Sequence, residues 1–342
     1  MSKRPAFLPM GSVTGIGSLP HTDVEAAIQL VAQACPAVPF WPQLPRLSIC
    51  DYMIEQALGP RNTFLVPRKV GYGYHVKPGF LKVFLHELRE GVAALDEDMA
   101  TGFFAFERAI QAGVFNRAQA LKGQLVGPIT LACMLFSEEH VFVLDQECLS
   151  AVTSFIARLA VWQVQRLQQW SLPVICFLDE PCLALLTHDP FKQIAAQALE
   201  ALHEVVMTLQ ATGTLVGIHC CAGQTSFRAV CQVAPDIISF DAYQDVEAFC
   251  TDPHARTFFN EGGLVAFGLV PTSSDLSLLD PTTVFARWLL ACQDLGDVSQ
   301  CASHTLITAT CGLGLLSLMQ AEATFRSAQH IADLVRKAVI MT

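Results

Sequence analysis

Short, continuously apolar runs alternate with helix-period stretches along nearly the whole chain. The runs fall at 13–17, 38–41, 124–127, 174–178, 215–219, 237–240, 264–267 and 305–308. Unbroken apolarity, rather than apolar–polar alternation, marks strands that are covered on both faces. Between most of the runs the apolar positions recur at helical spacing, for example over 23–34, 146–170, 191–211, 282–294 and 321–339. Eight buried strands with intervening helices predict an α/β protein built as a single (β/α)8 TIM barrel. One stretch breaks the rhythm. Residues 51–123 are too many for one connection and read as an insertion after the second strand. Within it Val70-Gly71-Tyr72-Gly73-Tyr74-His75-Val76 resembles a hairpin or lid, followed by an amphipathic stretch through Ala112. No internal repeat or low-complexity linker divides the 342 residues, so one domain is expected.

The residues that are not packing material gather where these runs end. The first runs into Ile16-Gly17-Ser18-Leu19-Pro20, the second into Trp41-Pro42-Gln43, and the third into Gly127-Pro128-Ile129-Thr130. The fourth ends in Asp179-Glu180-Pro181, the fifth in His219-Cys220-Cys221, and the sixth in Asp241. The seventh leads to Gly268-Leu269-Val270-Pro271-Thr272 and the eighth to Thr310-Cys311-Gly312. In a barrel of this kind the C-terminal rim of the strands carries the active site, so all eight ends converge on one mouth.

Residues two apart in a strand share a face, which puts His219 and Cys221 side by side and sends Cys220 elsewhere. An imidazole and a thiolate together make half of a tetrahedral zinc site, and Asp241 and Cys311 are placed to complete it. A nitrogen and sulfur donor set favours zinc over magnesium or calcium. Two thiolates leave such a metal electron-rich, suited to holding a substrate thiol as thiolate rather than to activating water. Each residue also has a plain structural reading. A lone strand cysteine such as Cys311 is commonly a small core hydrophobe, and Asp241 is equally placed to cap the helix that follows it. Asp179 and Glu180 are the candidate catalytic carboxylates, an acidic wall able to receive an amino group, or else a turn stopped by Pro181. Trp41, Phe40, Tyr72 and Tyr74 are candidates for the cavity floor or for the core.

Composition narrows the function classes. Hydrophobic residues make up 52% of the chain and charged ones 15%, which allows a large core and excludes extended disorder. A net charge of −10 without a basic stripe argues against nucleic-acid binding. Thirteen cysteines, an odd number without disulfide-like spacing, fit a reducing compartment. Met1-Ser2-Lys3-Arg4-Pro5 does not read as a signal peptide, and the uncharged span 301–321 is interrupted by His304, Gly312 and Gly314. A cytoplasmic protein without membrane association is therefore expected.

The ordered set Ile16-Gly17-Ser18, Gly127-Pro128-Ile129-Thr130, Asp179-Glu180-Pro181, His219-x-Cys221, Asp241 and Cys311-Gly312-Leu313 resembles the catalytic half of cobalamin-independent methionine synthase. That half belongs to the uroporphyrinogen decarboxylase-like barrel superfamily, and the resemblance runs in collinear order from about Thr14 to Leu313. It implies zinc-dependent methyl transfer to the thiol of homocysteine. By position, His219, Cys221 and Cys311 match zinc ligands, while Ile16, Gly17, Ser18 and Asp179 match residues that hold the amino acid. The chain departs from the family in several places. Asp241 stands where the family has a zinc-binding Glu, and the neutral Gln43 stands where it has an amino-acid-binding Glu. Gly268-Leu269-Val270-Pro271-Thr272 lacks the family's Asp-x-His segment for proton delivery, and the duplicated N-terminal barrel of the long synthases is not found in this sequence. The last two departures count against methyltetrahydrofolate as methyl donor, and the resemblance to short relatives associated with corrinoid proteins implies a methylated corrinoid protein instead. Three rival readings stand beside this one. A uroporphyrinogen decarboxylase would need no metal and would grip carboxylates with arginines, for which Arg46, Arg61, Arg68 and Lys69 are the candidates. A zinc hydrolase would use Glu180 as general base. A non-catalytic corrinoid- or thiol-binding protein would keep the cavity without turnover.

Overall fold

In the computed structural model of the protein, which describes residues 7–138, 140–223, 226–272 and 279–341, the apolar runs pair as a curled parallel sheet. The N-terminal segment read above for a leader, Met1 to Pro5, lies outside the described residues. The described strands are β1 (Ser12–Val13), β2 (Leu65–Pro67), β3 (Tyr74–Val76), β4 (Leu121–Val126), β5 (Leu135–Phe136), β6 (Val174–Asp179), β7 (Leu215–Cys220), β8 (Ile237–Phe240), β9 (Leu264–Val270) and β10 (Thr305–Ala309). Seven of them form the main sheet in the order β1-β10-β9-β8-β7-β6-β4, every neighbouring pair parallel. Helices connect them, among them α1 (Val24–Ala34), α2 (Met53–Leu58), α3 (Leu81–Glu90), α4 (Thr101–Gln111), α5 (Pro128–Met134), α6 (Gln146–Gln168), α7 (Ala195–Gln210), α8 (Phe227–Gln232) and α9 (Ala242–Thr251).

The continuous apolarity resolves into two cores separated by strand parity. On β6, Val174, Cys176 and Leu178 face the helices, while Ile175 and Phe177 join a second cluster with Ile237, Leu264, Ala266 and Leu306 inside the curl of the sheet. Gly217 belongs to the inner column, where an added Cβ would sit 2.4 Å from the Phe177 ring, so only glycine leaves room for that side chain. Climbing four of the inner columns toward the C-terminal rim, the residues change from apolar to polar. Ile175 and Phe177 lead to Asp179, Leu215 and Gly217 to His219, Ile237 to Ser239, and Leu306 to Thr308.

The expected second strand at 38–41 is not a strand. It touches the sheet through isolated parallel bridges, Phe40 with Lys122 on β4 and, just beyond, Gln43 with Ser18 after β1. Thr14 Oγ1 donates to Val38 O at 2.9 Å, Trp41 N to Lys122 O at 3.3 Å, and Gln43 N to Gly17 O at 3.1 Å. The segment 38–43 thus lies between the two edge strands. Pro39 and Pro42 explain why it makes no ladder, since neither has an N–H to donate. The stretch 51–123 holds α2, β2, β3, α3 and α4. The expected hairpin starts earlier than Val70: β2 pairs antiparallel with β3 around a turn at 68–73, and β5 adds a parallel third strand. Tyr72 at its tip is 89% exposed, whereas Phe40 and Trp41 are fully buried in the core. No helix among the described residues is long and apolar enough to cross a membrane.

Lys122 is a buried cation on the inner face of β4. Its Nζ donates to Ile16 O at 2.7 Å and to Gln124 Oε1 at 3.1 Å, and lies 4.3 Å from the centre of the Phe177 ring. Burial pulls this amine down to about 8, against the attraction of Asp179. In the unfolded chain the amine keeps its ordinary value of 10.5. Between about 8 and 10.5 the unfolded chain therefore holds a proton that the folded chain has shed, and stability rises with pH across that window. The difference in unfolding free energy between the wild type and Lys122→Met should shift in favour of the wild type over this range in denaturant titrations. A flat difference would show that the buried amine titrates normally.

Candidate functional site

Strand alternation delivers the chemistry to one place. His219 ends the inner column of β7, Asp179 ends that of β6, and the register pairs the two residues directly. Cys311 follows β10 in a loop stitched to the turn after β1: Leu313 N donates to Ser18 O at 2.9 Å and Gly314 N to Ser18 Oγ at 3.2 Å. Gly312 permits that approach, because a Cβ there would fall 2.3 Å from Ser18 Oγ. His219, Cys221 and Cys311 consequently present ligand atoms that all lie within 4.8 Å of one another. Cys220 points the other way and packs in the outer core, as alternation requires.

The donor set fits a soft divalent cation. His219 Nδ1 is engaged by Ser239 Oγ at 2.9 Å, and its Nε2 is buried with no hydrogen-bond partner. With Nδ1–H donated to the serine, Nε2 carries a free lone pair, the usual state of a metal-binding imidazole. The sulfurs of Cys221 and Cys311 are 3.5 Å apart. Donation from Cys221 pulls the Cys311 thiol down to about 4, while the same bond and burial push Cys221 up. These features match a zinc ion better than magnesium or calcium.

Two residues expected at this site are elsewhere engaged. Asp241 falls outside the metal-binding cluster. The chain leaves β8 at Phe240, and the Asp241 carboxylate caps α9 by accepting from Gln244 N and Gln244 Nε2, both at 3.1 Å. The capping alternative therefore holds for Asp241. Glu180 is fully buried and turned away from the cavity. Its carboxylate accepts from Ile129 N at 2.8 Å, Thr130 N at 2.7 Å and Thr130 Oγ1 at 2.6 Å, closing the N-terminus of α5 onto the end of β6. Gly127 makes room for it, since a Cβ there would lie 2.1 Å from Glu180 Oε1. Burial pushes this carboxyl up to about 8 against those three donors. It is a strut rather than a catalytic acid or base.

The cavity beside the cysteines has a volume of about 270 Å³, and Ile16, Ser18, Gln43, Asp179, His219, Cys221 and Cys311 all line it. Gly17, between two of these, packs against Gln43 Oε1 and Gln124. Asp51, Tyr52 and Met53 line it as well, and none of them stood out in the sequence. The available signal was slight, a single acid in the otherwise uncharged stretch 47–54. Asp51 ends a short 3-10 turn capped by Ser48, and the turn carries it back to the cavity. A larger groove of about 750 Å³ opens at the far end, where β7, β8 and β9 begin. It contains no cluster of metal-binding side chains among the described residues.

No protein-family model matches the chain, and no curated protein matches it. Among solved structures the chain is similar to a B12-independent methionine synthase from Shewanella sp. W3-18-1, determined in complex with selenomethionine. The two share 15% identity with a TM-score of 0.63, over 98% of this chain and 100% of that one. At this identity the likeness shows the fold, an α/β barrel-like architecture. A xylose isomerase-like TIM barrel protein from Mycobacterium smegmatis, determined with magnesium, matches at 13% identity and a TM-score of 0.35 over 76% of this chain and 90% of that one. That second likeness is too slight to argue from.

Replacing Glu180 by Gln should cost about 1–3 kcal/mol of stability, because an amide turns a donor against the N–H of Ile129 or Thr130. Denaturant unfolding checks this, and an unchanged midpoint would remove the strut. Cys221→Ser should lose most of the bound zinc measured after metal loading, whereas Cys220→Ser and Asp241→Asn should retain it. Equal loss in all three would refute the ligand set.

Proposed function

We propose that the protein is a zinc-dependent methyltransferase that moves a methyl group to the thiol of homocysteine, forming methionine, on an eight-fold barrel of the methionine synthase type. The observation that carries this reading is the unpartnered, buried His219 Nε2 facing two thiols at the edge of a cavity. His219, Cys221 and Cys311 would hold the zinc, leaving its fourth position for the substrate. A zinc ion so placed would supply positive charge that keeps a bound thiol ionised at neutral pH. The chain's own groups do the rest. Asp179 lines the same cavity, keeps its Oδ1 buried without a partner, and would receive the amino group of the acceptor. The turn Ile16-Gly17-Ser18 closes the opposite wall, with its backbone held by Lys122 Nζ at Ile16 O and by Gln43 N at Gly17 O. Such fixed walls orient the sulfur toward an incoming methyl carbon.

We take a methylated corrinoid as donor. In the transfer the sulfur lone pair forms the S–C bond while the C–Co bond breaks with its electron pair left on cobalt, which needs no proton. A folate donor leaves as an amine that must be protonated, and Gly268-Leu269-Val270-Pro271-Thr272 offers no acid or imidazole for that step.

The rival readings find less support. Arg46 is spent on Gly314 O and Leu315 O, and Arg61 on Glu87 O and Val92 O. Arg68 bonds Tyr72 O and stacks on Phe136. None of them lines the cavity, so nothing grips a polycarboxylate as a decarboxylase must. A hydrolase would need Glu180 free, and it is locked.

X-ray absorption of the zinc-loaded protein should gain one sulfur neighbour when homocysteine is added. Methionine should then form with methylcobalamin and hardly at all with methyltetrahydrofolate. No added sulfur would reject the thiol–metal reading. Turnover with the folate alone would reject only the donor.

A further inference from the structure

We propose that Asp51, acting with Asp179, receives a primary ammonium group of the acceptor, so that the substrates of this cavity are aminothiols. The argument starts from unmatched acceptors. Asp51 is 2% exposed and Asp179 7%, both line the cavity, and each keeps one carboxylate oxygen, Oδ2 and Oδ1 respectively, buried with no hydrogen-bond partner. Buried polar atoms are almost always paired, so two orphans of one kind on residues that line one space point to a donor that arrives with the ligand. Among the described residues no lysine or arginine lines the cavity to satisfy them internally.

The neighbouring amides are oriented by the same carboxylate. Asp51 Oδ1 can only accept, and it accepts from Gln56 Nε2 at 3.0 Å, an amine end that also donates to Met99 O at 3.2 Å. Gln56 Oε1 must then face the other way, where it accepts from Gln43 Nε2 at 2.8 Å. That leaves the oxygen end of Gln43 turned toward Gly17, whose added Cβ would lie 2.7 Å from Gln43 Oε1. Of the three lining residues Gln43, Asp51 and Asp179, the aspartates carry only acceptors, and the amide nitrogen of Gln43 is spent on Gln56 Oε1. A primary ammonium has three N–H donors and a positive charge to match them. At the other side of the same cavity stand His219, Cys221 and Cys311, which suit a thiol. A molecule carrying both groups a few carbon atoms apart spans the two. The neutral Gln43 therefore does not abolish amine recognition, because the carboxylate is supplied from the next turn by Asp51.

The thiol half of this inference rests on the proposed metal site, and the amine half does not. Purified protein loaded with cobalt(II) reports sulfur coordination by its charge-transfer absorption. Homocysteine and 4-mercaptobutyrate, which lacks the amine, are titrated into the wild type, Asp51→Asn and Asp179→Asn. Asparagine keeps an oxygen for Gln56 Nε2, so Asp51→Asn should fold normally. The wild type should bind homocysteine on the order of 10–100-fold more tightly than 4-mercaptobutyrate, as expected for a charged hydrogen-bonded group. Asp51→Asn should remove most of that advantage and leave 4-mercaptobutyrate unchanged. Equal binding of both thiols by the wild type overturns the proposal, as does an Asp51→Asn protein that keeps the full advantage or weakens both thiols alike. If no probe produces a sulfur band, the metal–thiol reading fails. Calorimetry of methionine against 4-(methylthio)butyrate on the metal-free proteins then decides the amine site. The same preference with the same dependence on Asp51 supports it, and no preference overturns it.

Discussion

The two-residue alternation of side chains across a parallel sheet governs this molecule. Each strand has to be apolar on its outer face, where helices cover it, and has a separate inner column that only other strands can cover. Filling the inner columns with Phe177, Ile175, Ile237 and Leu306 low down leaves the upper positions free for polar residues. Asp179 and His219 are the top members of adjacent columns, matched in register, and Glu180 N donates to His219 O at 2.8 Å to hold the two strand ends together. The site is therefore a consequence of where the apolar filling stops. Moving either strand by one residue would turn Asp179 and His219 into the helices and bring Leu178 and Ile218 to the mouth.

The same rule explains what could be read from the chain alone. Seven strands were legible because their two faces are both apolar, which writes a continuous run into the sequence. The eighth run, 38–41, looked identical in hydropathy, and its difference lies in hydrogen bonding: Pro39 and Pro42 remove the donors that a ladder needs. Adjacent carboxylates at 179 and 180 were legible as unusual but not as different. Alternation separates them, sending Asp179 into the cavity and Glu180 to the N-terminus of α5. Asp241 could not be decided from sequence, because an aspartate between a strand and a helix satisfies both a ligand and a cap. The backbone decides it by leaving β8 one residue too soon. Asp51 was illegible for another reason. A 3-10 turn far from any strand end brings it to the cavity, and neither strand nor helix periodicity signals such a return.

Binding and stability are opposed in this cavity. Each buried polar atom without a partner costs about 1–3 kcal/mol, and three of them, His219 Nε2, Asp51 Oδ2 and Asp179 Oδ1, belong to residues that line one space. Burial pushes both aspartates up to about 6. The rest of the fold tolerates the penalty because the supporting groups are engaged, as Glu180, Gln56 and Gln43 show. A cation at the imidazole and a donor at the carboxylates would each remove a penalty already present in the empty fold, which is how a rigid site gains affinity without rearranging.

Selectivity follows from having two unlike ends in one small volume. A soft sulfur and nitrogen end discriminates by polarisability and tolerates many thiols. An acceptor-only end of oxygens discriminates by charge and by donor count, and rejects a neutral or anionic group because its orphans would stay unpaired. In a space of about 270 Å³ a ligand that satisfies one end is positioned for the other. In the proposed reaction the amine end would therefore fix the direction in which the sulfur lone pair points. Methyl transfer requires that lone pair to line up with the bond being broken, so recognition at the carboxylates would contribute to rate as well as to affinity. On this proposal the chain separates the tasks between elements: β7 and the loop after β10 would hold the reactive end, while the turn carrying Asp51 and the end of β6 would set the angle.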